Sequence, residues 1–311
     1  MSITYDSHGK PQAEKSHDVT VVGSVNADLA IRLDDLPPAG QTVRGSDAER
    51  GLGGKGANQA VAAARLGRSV AMVGAVGDDD EGRGLRSVLA AEGIDVEHVA
   101  ALGVPTGVAV VLVHGGESTI VLSPGANDRM DAARVEAAAA AVSSARVVLL
   151  QCEVPDEALL AAARLCTGVL VLNPAPARPL PPELLTRADL LVPNAGELAV
   201  LAGEPVATDV DAIAGQARKV RPQGTTIVTR GERGSVVVTP GGQAEVPAVR
   251  ADLVDATAAG DSFVAALADA LLDGAGLVEA ARWAARVAAV TVSRPGASQS
   301  LPRKSEVPSV G

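Results

Sequence analysis

Aromatic side chains are almost missing from this sequence. Tyr5, Phe263 and Trp283 are the whole set among 311 residues. That excludes stacking platforms for single-stranded nucleic acid and argues against an aromatic pocket for a nucleoside. Positive charge is short as well: 27 Lys and Arg against 37 Asp and Glu leave a formal net charge of −10 at pH 7. A phosphate backbone is therefore not the main partner, although a local positive pocket stays open. Two cysteines, Cys152 and Cys166, provide neither a disulfide framework nor paired metal spacing, and both read as core fillers. The histidines at 8, 17, 98 and 114 share no ligand spacing. No apolar run reaches the ~18 residues of a membrane span, and residues 1–17 lack the apolar stretch of a signal peptide. A cytosolic protein is the expectation.

What the sequence has in quantity is small aliphatic residues. Hydrophobic residues make up 47%, so the core is built from Ala, Val and Leu, and the length suits one large domain with or without a subdomain. Apolar runs at Val19–Gly23, Val70–Val76, Val147–Gln151, Val169–Leu172, Leu190–Val192 and Thr226–Thr229 read as buried strands. Helical spacing is predicted over 57–66, 80–92, 131–142, 156–166, 195–202 and 209–219. Such alternation implies a mostly parallel sheet covered on both faces, with ligands beyond the strand carboxyl ends. Polar residues gather there: Glu153, Asn173, Asn194 with Glu197, and the stretch Thr229–Gly234. Two clusters of short strands fall outside the alternation. One holds Ala30–Leu33 and Thr42–Arg44; the other pairs Val108–Val113 with Ser118–Leu122 around Gly115-Gly116-Glu117. They are read together as a small β-sheet lid.

Three stretches carry candidate chemistry. Asn26 and Asp28 follow the first strand, either to meet a ligand or to form an Asx turn. Gly51-Leu52-Gly53-Gly54-Lys55-Gly56-Ala57-Asn58 opens a helix with a backbone that can lie against a ligand. It is not a P-loop, because Gly56 stands where Ser or Thr is required after the lysine, and no dinucleotide fingerprint follows the first strand. Asp255-Ala256-Thr257-Ala258-Ala259-Gly260-Asp261 runs into another helix. Its small residues leave the amides at a helix start open to an anion. Asp261 is there either as favourable charge at the helix start or as a general base.

The order and spacing of Asn26-Ala27-Asp28, Gly53–Asn58 with Gln59–Ala63 after it, Asn173–Ala177, Asn194 with Glu197, and Asp255–Asp261 resemble the ribokinase-like carbohydrate kinase family over about residues 18–302. The resemblance implies a three-layer α/β/α sandwich with a mostly parallel central sheet and a β lid formed by about 29–52 and 104–125. Tails at 1–17 and 303–311 would lie outside it. It implies ATP-dependent phosphorylation of a sugar hydroxyl, with the 5-hydroxyl of D-ribose as the first choice. A related sugar or nucleoside (deoxyribose, fructose), or a non-catalytic sugar-binding regulator, is the alternative. Carried over by residue, Asp261 is the base. Asn26, Asp28, Gly54, Lys55, Asn58 and Glu153 contact the sugar. Ala258, Ala259 and Gly260 form an anion hole, Ala259 and Gly260 among the ATP contacts. Asn194, Thr229, Gly231 and Gly234 also meet ATP, and Glu197 is linked to Mg²⁺. Asp255, Thr257, Thr291, Arg294, Gly296 and Ser300 match a site for K⁺ or a similar monovalent cation. A homodimer through the lid is also implied.

Overall fold

A computed structural model describes residues 17–114 and 117–308. The chain opens with β1 (Val19–Val22), whose alternate residues separate onto two faces: Val19 and Val21 join one core cluster and Val22 the other. It then leaves the main layer for β2 (Asn26–Arg32) and β3 (Glu49–Gly53) and returns through helix α1 (Lys55–Arg65) to β4 (Val70–Gly77). Helix α2 (Asp80–Ala91), capped by the Asp79 side chain on the Gly82 amide, leads to β5 (Val99–Leu102). Next come β6 (Gly107–His114), β7 (Glu117–Ser123), α3 (Ala132–Ala137) and α4 (Ala139–Ser143).

From there the chain alternates: β8 (Val147–Gln151), α5 (Asp156–Leu165), β9 (Val169–Asn173), α6 (Pro182–Arg187), β10 (Leu190–Leu191), α7 (Ala195–Ala202), α8 (Val210–Val220) and β11 (Thr225–Thr229). The hairpin β12 (Ser235–Thr239) and β13 (Gly242–Val246) follows, then α9 (Ala259–Leu272) and α10 (Leu277–Val292). One nine-stranded sheet runs in the order β13-β12-β11-β10-β9-β8-β1-β4-β5. It is parallel from β11 to β5, with β12 and β13 antiparallel at one edge.

The two sheet faces bury different sets. Val147 and Leu149 of β8 pack with α1, α9 and α10, while Val148 and Leu150 pack with α5 and its neighbours. This is the period-two pattern of a strand buried on both sides. Both cysteines are buried, as expected. Because β4 lies on one side of β1 and β8 on the other, the strand order reverses at β1. That is where an open parallel sheet leaves a crevice at its carboxyl edge.

A separate four-stranded sheet, in the order β3-β2-β6-β7, stands over that edge. Several local expectations need correction. Residues 42–44 are exposed and form no strand; the strand of that segment is β3, later in the chain. Asn26 and Asp28 do not sit in a turn but inside β2, where Asp28 lies opposite Gly51 and Asn26 opposite Gly53. The helix expected over 131–142 is two short ones meeting at Ala138. The turn expected at Gly115-Gly116 and the tail at residues 1–16 lie outside the described residues. Residues 303–308 are not a loose tail. A turn at Lys304–Glu306 precedes a buried Val307, and Lys304 reaches Asp269 at 3.2 Å. Among the described residues no helix is long and apolar enough to cross a membrane.

Candidate active site

The crevice between the two sheets is a cleft of about 840 Å³. Strand and helix ends bring Asn26, Asp28, Gly54, Lys55, Asn58, Glu153, Asn194, Glu197, Thr229, Asp255, Thr257, Ala258, Gly260 and Asp261 to its walls. Residues from both ends of the chain thus meet in one place, with Val111, Val113, Ile120 and Leu122 of the small sheet as an apolar roof.

The start of α1 shows why its glycines are needed. Gly54 takes φ 88°, a conformation that favours glycine. At Gly53 a Cβ would fall 1.9 Å from Asp28 Oδ1, so only a hydrogen lets that carboxylate lie against the loop. Glu153 is fixed from two sides, since its Oε2 accepts from the Ser24 hydroxyl at 2.5 Å and from the Lys55 amide at 3.0 Å. Asp261 is 5% exposed in the first turn of α9. Its Oδ2 accepts from Asn58 Nδ2 at 3.0 Å and its Oδ1 from Gln59 Nε2 at 3.1 Å. Asn26 Oδ1 accepts from Asn127 Nδ2 at 2.7 Å, and Asn127 Oδ1 in turn accepts from the Val25 amide. Asn26 therefore turns its donor end away from Asn127.

Several carboxylates share this cleft with a single lysine, and the charges respond to one another. Burial, then Glu153 and Asp261, push the Asp28 carboxyl up to about 7 against the pull of Lys55. Burial also raises Asp261, opposed by Lys55 and by the hydrogen bonds from Asn58 and Gln59. Glu197 is raised by burial too, opposed by its bond to the Asn194 amide and by Lys55. Burial works against the Lys55 ammonium, yet Asp261, Glu153, Glu197 and Asp28 outweigh it and hold its pKa above the ordinary lysine value. Two buried acceptors, Asp28 Oδ1 and Asn58 Oδ1, have no hydrogen-bond partner among the described residues. Both belong to cleft-lining side chains, and an acceptor buried without a donor is costly.

At the other end, Ala258 caps α9 in the left-handed region at φ 60°, a strained conformation for a residue with a Cβ. Ala258 and Gly260 line the cleft; Ala259 does not, and its amide donates to Ala256 O at 3.3 Å. Asn194 and Glu197 form a capping box on α7: Glu197 N–H donates to Asn194 Oδ1 at 2.8 Å, and Asn194 N–H to Glu197 Oε2 at 2.7 Å. The spacing that drew attention to this pair is thus also a helix start. Gly231 and Gly234 shape the turn after β11 and do not line the cleft, though Thr229 does, beside Asn194. In the cation group, Asp255 joins two loops, accepting from the Thr257 amide at 2.9 Å and the Gly296 amide at 3.0 Å. The Thr291 hydroxyl donates to Val287 O and that of Ser300 to Ala297 O, while Arg294 pairs with Glu306.

The sequence reading missed Gln59, Asn127 and Ser24 as site residues. Gln59 had one signal, its place directly after Asn58 in the glycine-rich motif. Asn127 and Ser24 had none, because their partners are remote in sequence.

Comparison with known proteins agrees with this geometry. The model of the pfkB family carbohydrate kinases matches residues 16–304. The chain is 38% identical to a ribokinase of Schizosaccharomyces pombe, covering 93% of this chain and 96% of that one. It is 34% identical to a deoxyribokinase of Salmonella typhimurium, with 92% and 95% covered. A ribokinase of Arabidopsis thaliana, solved in complex with ribose and ATP, superposes with a TM-score of 0.84 at 32% identity, covering 94% of this chain and 97% of that one. The chain belongs to the pfkB family of carbohydrate kinases.

Proposed function

We propose that this chain transfers the γ-phosphoryl group of ATP to the 5-hydroxyl of D-ribose, giving D-ribose 5-phosphate and ADP. The observation that carries the reading is the pair of orphaned acceptors, Asp28 Oδ1 and Asn58 Oδ1, beside a buried carboxylate in one cleft. A polyol supplies the missing donors, and a site built to hydrogen-bond hydroxyls rejects ligands that lack them. Asn26, Asp28, Gly54, Lys55, Asn58 and Glu153 hold the sugar.

A sugar hydroxyl is a weak nucleophile. Asp261 accepts its proton as the new O–P bond forms and the bond from the γ-phosphorus to the β–γ bridging oxygen breaks, so that ADP leaves. Ala258 and Gly260, at the amino end of α9, meet the charge on the phosphoryl group. Asn194 and Thr229 face the nucleotide, and the apolar roof excludes water from the reaction.

The cleft suits Mg²⁺ brought in with the nucleotide. Among the described residues no three His, Cys, Asp or Glu side chains converge into a metal cage, and Mg²⁺ commonly keeps water and phosphate as most of its ligands. Glu197 is the residue that would hold it with the phosphates, and when bound the ion neutralises phosphate charge. The loops joined by Asp255 offer oxygen donors, which suit K⁺. The Thr291 and Ser300 hydroxyls donate their hydrogens within their own turns, which leaves their oxygen lone pairs to coordinate the ion. Replacing K⁺ by a large organic cation is expected to lower turnover, and equal rates in both would remove the cation site. A homodimer through the lid follows from the same reading, and sedimentation of the purified chain as a monomer in analytical ultracentrifugation would refute it.

The test of the activity is a substrate panel with ATP, read by coupled ADP release. The highest kcat/KM is expected for ribose over deoxyribose, fructose and adenosine. A preference for deoxyribose would overturn the sugar assignment, and no turnover on any of them would overturn the kinase.

A further inference from the structure

We propose that Gln59 is a positioning residue for the base: it pins Asp261 Oδ1 on the sheet side and leaves Oδ2, on the cleft side, to take the substrate's proton. This rests on the sugar-kinase reading above and deepens it.

The argument starts at a backbone carbonyl, which can only accept. Val192 O accepts from Asn173 Nδ2 at 2.8 Å. That bond fixes the Asn173 amide, so its Oδ1 faces Gln59 and accepts from Gln59 Nε2 at 3.2 Å. The Gln59 amide is thereby oriented with its NH₂ inward, and the same nitrogen donates to Asp261 Oδ1 at 3.1 Å. Gln59 Oε1 accepts from Gln151 Nε2 at 2.6 Å, while Gln151 Oε1 has no partner among the described residues. Rotating Gln59 by half a turn would set its carbonyl against two acceptors, Asp261 and Asn173, and its NH₂ against the donor of Gln151. The orientation is over-determined.

Gln151 and Asn173 end the adjacent strands β8 and β9, and Val192 follows β10. The base on α9 is thus tied through α1 to the strand ends of the central sheet. Gln59 is 0% exposed and does not line the cleft, whereas Asn58, on Oδ2, does. Oδ1 is therefore held by a buried side chain that does not reach the cleft, and Oδ2, held by the cleft-lining Asn58, keeps a second lone pair for the substrate's proton. The bond from Gln59 also favours the ionised base.

Two variants test the role, Gln59→Leu and the nearly isosteric Gln59→Glu. The first readout needs no turnover: the pH titration of the Asp261 carboxyl carbon by ¹³C NMR, assigned with Asp261→Asn. It is expected to move upward in Gln59→Leu, which loses a donor to the ionised form. It is expected to move further in Gln59→Glu, where two carboxyls share one buried site and titrate together. In activity, the acid limb of kcat/KM shifts in the same direction, and kcat falls roughly tenfold to a hundredfold. The KM for sugar stays within about threefold. If Gln59→Leu does not fold, Gln59→Glu carries the test alone. An Asp261 carboxyl that titrates at the wild-type position in Gln59→Glu overturns the proposal. A wild-type chain inactive on every sugar refutes the kinase reading instead, since the NMR titration is read without turnover.

Discussion

In the proposed reaction Asp28 serves sugar binding at the expense of folding. Its folded pKa of about 7 stands well above the ordinary 3.8. Between those values the folded state keeps a proton that the unfolded state has lost. The Asp28 contribution to stability is therefore largest below pH 3.8 and declines as pH rises through about 7. Sugar binding needs the ionised acceptor and runs the other way. Ribose affinity is expected to rise between about pH 6 and 8, measured by titration calorimetry, and a flat profile would refute it. Asp28→Asn is expected to abolish that rise and to flatten the fall in urea midpoint between acid and neutral pH. For the base, Asp261→Asn should lower kcat at least about a hundredfold while calorimetry still finds ribose bound; near-normal turnover would remove its role. Lys55, Asn58 and Asp261 were legible in the sequence because each sits inside a local motif. Gln59 was visible as a residue but not as a partner, since Asp261 lies 202 positions away.

Among the elements, the turn at Lys304–Glu306 is held by charge on an apolar ground. Asp269, on the buried side of α9, is 1% exposed. It accepts from Arg68 Nε at 2.6 Å, Trp283 Nε1 at 2.9 Å and Lys304 Nζ at 3.2 Å. One side chain thus joins the turn after α1, helix α10 and the carboxyl-terminal segment. Removing it leaves Trp283 Nε1 without its acceptor and Arg68 with Asp273 as its remaining carboxylate at 2.6 Å, and Asp269→Ala is expected to cost about 1–3 kcal/mol, read from urea unfolding. A loss under about 1 kcal/mol would show that the network is dispensable. The segment was expected to be a tail because its composition is polar. Composition does not reveal an ion pair made across the fold. The helix ends expected at 66 and 92 fall within one residue of those of α1 and α2, because Gly67 and Gly93 adopt positive φ just after them.

The whole molecule is a layered body with a small sheet standing over the cleft at its carboxyl edge. The part of its inner face formed by β6 and β7 is apolar, and Ile120 is still 56% exposed. Burying it on a bound ligand is favourable. Ribose with ADP is expected to slow amide exchange in β6 and β7, measured by hydrogen–deuterium exchange; unchanged exchange there would count against closure of the lid.

Local sequence determined the alternation of strands and helices, because hydrophobic period and glycine stops act over a few residues. It also determined the chemical types available, since side-chain chemistry does not depend on the fold. Tertiary structure alone decided that Asp28 lies in a strand, against the backbone of Gly53. It decided as well that Asp261 is gripped by α1 and that, among the described residues, the cleft acceptors Asp28 Oδ1 and Asn58 Oδ1 are left without donors. Those outcomes depend on which distant groups the packing brings within hydrogen-bond reach, and on how far it shields them from water.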